Sequence, residues 1–242
     1  MNDVIRQLKE RKSVRVFTDR EIAPEAVTAI LEAAVNAPTA GNQQLYTIIN
    51  VTDPELKAQL ADSCDHQPFI AQAPLVLVFC ADCRKWYHAF REYGCEPRKP
   101  GVGDLLLAVS DTNIAAQNAV VAAQSLGIGS CYIGDIMENA EQQRKLLSLP
   151  RYVFPAAMLV FGYPEASQLE RAKPPRSDLR HIVHENSYRD MDAGELRQML
   201  SVKTGVREFA DWIVAFCNRK YNSEFSREMT RSVEVFLEDF KK

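Results

Sequence analysis

The stretch that most constrains this chain runs over residues 104–126, where a helical reading finds no solvent face. Leu105, Leu106, Leu107, Val109, Ile114, Ala115, Ala116, Ala119, Val120, Val121, Ala122 and Ala123 put apolar or small side chains on nearly every side, until Gly127 ends the run. A helix apolar all round belongs at the centre of a fold, and its alanines permit close neighbours, a second subunit included. Around it, residues 45–51, 75–80, 130–133 and 156–161 read as strands, the second and last apolar throughout, as in strands buried on both faces. Helical segments separate them. One opens at Pro24, carries Val27, Ile30, Leu31 and Ala34 on one face, and stops at Ala37-Pro38. Another is capped by Asp53 with Pro54 in its first turn, and two more cover residues 84–93 and 139–149. Strands separated by helices predict an α+β fold, an α/β sandwich whose mixed or parallel central sheet is flanked by helices.

From Gly162 the texture changes. Tyr163-Pro164 and Lys173-Pro174-Pro175-Arg176 form an irregular, basic loop, and residues 180–184 read as one more strand or an extended arm. Two amphipathic helices close the chain, marked by Val206, Phe209, Ile213 and Phe216, then by Phe225, Met229, Val233, Phe236 and Phe240. The expected organisation is one domain over residues 1–190 with a helical extension, 191–242, packed on it. A composition 46% hydrophobic and 25% charged excludes disordered and fibrous classes. A formal charge of −3 without a basic stripe argues against a general nucleic-acid binder. The apolar run at residues 73–81 is far shorter than the roughly 20 residues that cross a bilayer. Residues 1–6 lack the apolar core of a signal peptide, and six cysteines are too sparse for a disulfide scaffold. These features predict a cytoplasmic protein with free thiols and no membrane partner.

Familiar catalytic signatures are missing from the sequence. Gly101-Val102-Gly103 and Gly127-Ile128-Gly129 each lack the third glycine of a dinucleotide fingerprint, and no Gly-Lys-Ser/Thr phosphate loop follows a strand. The four histidines form no HExxH pair, and no Gly-x-Ser-x-Gly elbow occurs. Cys80 and Cys83 stand at a strand end with two residues between them, which suits ordinary buried cysteines and leaves a metal or dithiol centre as the alternative. More informative are three polar clusters. Arg11-Lys12-Ser13-Val14-Arg15 concentrates three cations and a hydroxyl; Lys173 and Arg176 add two cations; Pro38-Thr39-Ala40-Gly41-Asn42-Gln43-Gln44 supplies amides and a hydroxyl. Each alone reads as solvated surface. Together they suit flavin mononucleotide (FMN), with a phosphate to be held by charge-assisted bonds and a heterocycle edge to be met by amides.

The ordered motifs then resemble those of the nitroreductase family, FMN-dependent NAD(P)H oxidoreductases, and within it the branch of oxygen-insensitive nitroreductases and FMN-using flavin reductases. The resemblance covers about residues 1–190 and is carried by Arg11-Lys-Ser-Val-Arg15-x-Phe17, Ala37-Pro-Thr-Ala-Gly-Asn-Gln43, Gln67, the stretch 111–134, Phe161-Gly-Tyr-Pro164, Lys173 to Arg176 and His184-Glu-Asn-Ser-Tyr188. It implies a homodimer with two FMN molecules at the subunit interface. Arg11 and Ser13 with Lys173 and Arg176 would grip the phosphate, and Arg15 would face the pyrimidine edge of the ring. Thr39, Gly41 and Asn42 would come from the partner subunit, Gln67 would bond the ring edge, and Tyr132, Ile133 and Gly134 would line its face. Lys12 and Pro38 belong to the same two motifs and count with the cofactor-binding set. The implied reaction is ping-pong, two-electron transfer from NAD(P)H to a small acceptor such as a nitroaromatic, a quinone or free flavin. A reductive dehalogenase-like relative or a non-enzymatic flavin carrier are the alternatives. Where relatives often carry two glycines and an arginine after the Tyr-Ile pair, this chain has Gly134-Asp135-Ile136-Met137.

Overall fold

The structure, a computed structural model, describes residues 2–241. In chain order its elements are α1 (Asp3–Glu10), α2 (Pro24–Val35), β1 (Tyr46–Val51), α3 (Pro54–Ser63), α4 (Pro68–Gln72), β2 (Leu75–Asp82), α5 (Arg84–Glu92) and α6 (Val102–Ser125). The remainder are β3 (Gly129–Ile133), α7 (Ala140–Leu146), β4 (Val153–Gly162), α8 (Ala166–Glu170), α9 (Ala193–Ser201), α10 (Phe209–Lys220) and α11 (Glu224–Leu237). Asp53 caps α3 as its sequence predicts, its carboxylate accepting from Glu55 N at 3.0 Å. The short α4 and the nine-residue α9 were not anticipated by periodicity; α9 is started by a reciprocal Asp192–Glu195 capping box. Residues 180–184 are not a strand: Leu179–His181 turn as a single 3-10 segment, and Ile182 and Val183 lie exposed beyond it.

The four strands lie in the order β1-β2-β4-β3. Every pair of named strands is antiparallel. The parallel pairing among the described residues is the isolated Ser13–Ser130 bridge, so the mixed character expected of the sheet is confined to that edge. Strand alternation divides the core in two. Val76, Val78 and Cys80 of β2, with Met158 and Val160 of β4, face Leu60, Ile70, Leu149, Phe236 and Phe240. Leu75, Leu77 and Phe79, with Leu159 and Phe161, face Ile30 and Ala34 of α2 and Ala115, Ala116, Ala119 and Ala123 of α6. This is the expected sandwich, and the alanines of α6 are what let that helix lie close to both α2 and the sheet. By length and composition α6 is also able to span a membrane, a property the run at 73–81 did not suggest; here about half of its residues are packed into the fold.

The chain separates into two compact units. The first comprises the residues up to Arg171 and those from Glu228 onward; the second is Ala172–Arg227. The boundary expected near residue 190 falls inside the second unit. The larger part of α11 belongs to the first, where Phe236 meets Phe154 edge-on at 5.2 Å, and Asp239 pairs with Arg144 at 2.6 Å and Arg151 at 3.3 Å. In the second unit the rings of Trp212 and Phe216 stack at 5.0 Å and the Arg197 guanidinium lies over Phe209.

Candidate active site

The site is built on the arm that leaves α1. Arg11 caps that helix through its N–H on Gln7 O at 2.8 Å. The arm then runs beside β3, with Val14 N donating to Ser130 O at 3.0 Å, and crosses to the end of β4, where Phe17 pairs with Pro164. Two glycines make this close approach possible. A Cβ on Gly129 would lie 2.6 Å from Val14 Cγ2, and one on Gly162 would lie 2.6 Å from Phe17 Cδ1. Residues of α8 and its C-terminal cap also hold the arm. The Lys12 ammonium donates to Leu169 O at 2.8 Å and to Arg171 O, the Arg171 guanidinium donates to Ser13 O, and Arg15 N donates to Gln168 Oε1 at 3.3 Å. Lys12 is therefore engaged with backbone carbonyls.

At the end of β3, Tyr132 is half-buried and its hydroxyl lies 3.3 Å from Gln117 Oε1. Burial pushes its phenol up to about 12, and the charge of Arg11 opposes that rise, which places the guanidinium near the ring. Ile133 is a core residue. Gly134 is exposed and opens the 3-10 turn Asp135–Met137; a Cβ built on it meets nothing within 4 Å, so its backbone borders open space. Gln67, at the start of α4, donates through Nε2 to Cys64 O at 2.7 Å and to Asp135 Oδ2 at 3.1 Å. The Arg15 guanidinium sits 5.9 Å from the Phe69 ring centre, two residues beyond Gln67. The fold thus brings Arg11, Ser13, Arg15, Gln67 and Tyr132–Gly134 to one region around the β3 terminus.

The 38–44 loop forms a second cluster, organised by a residue that sequence reasoning did not single out. Asp111 of α6 is 3% exposed, and its carboxylate accepts from Thr39 Oγ1, from Ala40 N at 3.1 Å and from Leu45 N at 3.4 Å. Trp86 Nε1 donates to Gln43 O at 2.7 Å, while Gly41 and Asn42 both take φ of 56°. That left-handed turn is cheap for glycine and tolerable for asparagine. Pro38, Thr39, Gly41 and Asn42 are held as one rigid corner. The available signal was a carboxylate in the middle of an apolar helix, a position that burial makes costly unless it is hydrogen-bonded.

Lys173 and Arg176 lie in the second unit, where the Arg176 guanidinium donates to Pro174 O at 3.1 Å. Also missed was Glu138, just past the turn after Gly134. It is 5% exposed, and its Oε1 has no hydrogen-bond partner among the described residues. Burial, then the fields of Asp135, Asp65 and Glu228, push its carboxyl up to about 7. Cys80 and Cys83 are free thiols held at about 12 by burial, far from the thiolate form a redox or metal centre requires.

Comparison with known proteins identifies the family. The model of the Nitroreductase family matches residues 8–163. The chain is 32% identical over 241 residues to the FMN reductase [NAD(P)H] of Bacillus subtilis strain 168, covering 98% of this chain and 92% of that protein. It is 35% identical over 193 residues to the oxygen-insensitive NADPH nitroreductase of Salmonella typhimurium, covering 79% and 77%. Among solved structures, that of Bacillus megaterium NfrA2 superposes with a TM-score of 0.85 at 30% identity, over 100% of this chain and 99% of that one. On the strength of the matched residues and the shared fold, the chain belongs to the nitroreductase family.

Proposed function

We propose that the protein is an FMN-dependent NAD(P)H oxidoreductase that passes two electrons to a small acceptor. The observation that carries this reading is the convergence, around the end of β3, of Arg11, Ser13 and Arg15 with the Gln67 amide and the open backbone at Gly134. That donor set fits FMN: cations and a hydroxyl for a phosphate, an amide for the polar rim of a heterocycle, and a strand end with no side chain in the way. When bound, FMN supplies the redox chemistry, taking a hydride equivalent from the nicotinamide and delivering electrons to the acceptor.

The protein's own part is to bind, orient and set the field. Arg11 and Ser13 hold the phosphate; Lys12 anchors the arm that carries them. Arg15 places a fixed cation at the pyrimidine edge, where it favours negative charge arising on reduction. Tyr132, Ile133 and Gly134 form the wall against the ring. Pro38, Thr39, Gly41 and Asn42, kept rigid by Asp111, are contributed across a homodimer seam. Support for that seam comes from apolar side chains left exposed on α1 (Val4, Ile5 and Leu8) and α6 (Leu106, Leu107 and Ile114). The same composition and free thiols support a cytoplasmic location.

The test is direct. Purified protein is expected to be yellow, absorbing near about 450 nm as oxidised flavins do, and to bleach anaerobically with NADH or NADPH before re-oxidation by quinone or nitroaromatic. A protein that stays colourless after incubation with FMN overturns the reading; one that holds FMN yet is not bleached by either nucleotide is a carrier. Sedimentation at twice the monomer mass is expected, with monomer throughout as the contrary result.

A further inference from the structure

The Gln67 carboxamide has its two N–H bonds directed at Cys64 O and Asp135 Oδ2. A backbone carbonyl and a carboxylate are both pure acceptors, so the atom facing them must be nitrogen, and the usual ambiguity between the two ends of an amide does not arise here. With both hydrogens committed, the side chain has only oxygen left to offer. Gln67 is thereby converted from a group that meets donors and acceptors alike into one that selects donors. Asp135 is well placed to enforce this. It is half-buried at the head of the turn after Gly134, and its charge-assisted bond to Gln67 is stronger than a neutral amide contact would be.

We propose that Asp135 is a positioning residue: it locks the Gln67 amide so that Oε1 faces the ligand and accepts a hydrogen bond from a ring N–H. The inference rests on the reading of this region as the flavin site. Within oxidised isoalloxazine, N3–H is the one donor on a rim otherwise made of acceptors (O2, O4, N1 and N5), so it is the atom a donor-selective amide reads. Arg15, a pure donor, complements this by serving the carbonyl oxygens of the same edge.

The experiment titrates apoprotein with FMN and with 3-methyl-FMN, whose N3 has no hydrogen, by quenching of flavin fluorescence. For the wild type, FMN is expected to bind about tenfold more tightly than the methylated analogue, the scale of one hydrogen bond left unmade against a buried acceptor. In Asp135→Ala the amide is free to turn and offer N–H to a ring oxygen, and the preference is expected to fall to about twofold or less. Asp135→Asn retains an acceptor oxygen for Gln67 Nε2 and is expected to preserve the wild-type ratio, whereas Gln67→Leu abolishes it. A ratio unchanged in Asp135→Ala, or unchanged in Gln67→Leu so that the methyl group acts by crowding alone, overturns the proposal. Failure of every variant and the wild type to bind either flavin overturns the reading of the site itself.

Discussion

Replacing Glu138 by glutamine is expected to stabilise the protein, by an amount that grows between pH 4.5 and about 7. The carboxyl is 5% exposed, has no partner for Oε1 among the described residues, and lies in the fields of Asp135, Asp65 and Glu228. Its folded value of about 7 lies above the 4.5 of an ordinary glutamate. Below pH 4.5 the side chain is protonated whether the chain is folded or not, and stability is unaffected. Between 4.5 and about 7 the unfolded chain loses the proton while the folded one keeps it, so stability declines as pH rises; above that the loss is constant at roughly 3 kcal/mol. Glutamine has the same shape and cannot ionise, so it is not repelled by the charges of Asp135, Asp65 and Glu228. Thermal melts of wild type and Glu138→Gln, monitored by circular dichroism from pH 4.5 to 8, therefore measure this contribution in isolation, because every other titrating group is common to both. At pH 8 the variant is expected to melt about 6–12 °C higher, given about 2–4 °C per kcal/mol for a chain of this size. At pH 4.5 the curves should nearly coincide. A difference that is the same at both pH values, or a wild type more stable at pH 8, refutes the electrostatic reasoning.

Three further outcomes are expected. Gly162→Ala drives a methyl into Phe17 and Pro74, the latter 2.9 Å from the new atom, and should lower the urea midpoint by the equivalent of about 1–3 kcal/mol. Asp111→Ala orphans the donors of Thr39, Ala40 and Leu45 and is expected to cost about 3 kcal/mol in the same assay, with weaker FMN retention on gel filtration; Thr39→Val, which removes one donor to Asp111 and the acceptor of Gln44 N, should cost about 1–2 kcal/mol. Arg11→Ala should raise the FMN dissociation constant by about tenfold or more and flatten its dependence on salt, since one charge has gone from the phosphate site; unchanged retention places the phosphate elsewhere.

The strands were legible because β2 is apolar from Leu75 to Ala81 and β4 throughout, short runs of the kind a doubly covered sheet buries. Their direction was not legible. A strand buried on both faces looks the same in sequence whether its neighbours run parallel or antiparallel, so the antiparallel ladder had to be seen. Ile182 and Val183 suggested a strand by their branching, yet a strand needs a partner for its backbone, and the chain there turns instead. The cations of the arm announced themselves by clustering. What brings them to β3 is recorded only in Gly129 and Gly162, whose meaning depends on Val14 and Phe17 lying across them. Asp111 was marked only as a carboxylate in the middle of an apolar helix, and Glu138 by nothing local, for a related reason: a carboxylate's burial, which gives one its grip on a loop and the other its held proton, is a property of the packing.

The return of α11 to the first unit means that the segment Ala172–Arg227 is spliced into the chain as a detour with both ends moored. A protease cutting within it would yield two pieces that stay together, because Phe236 and Phe240 of the later piece are buried in the core of the earlier one. The same arrangement frees the detour to lengthen, shorten or diverge over evolutionary time while the sheet of the first unit keeps its sequence, so novelty in this lineage would accumulate there first.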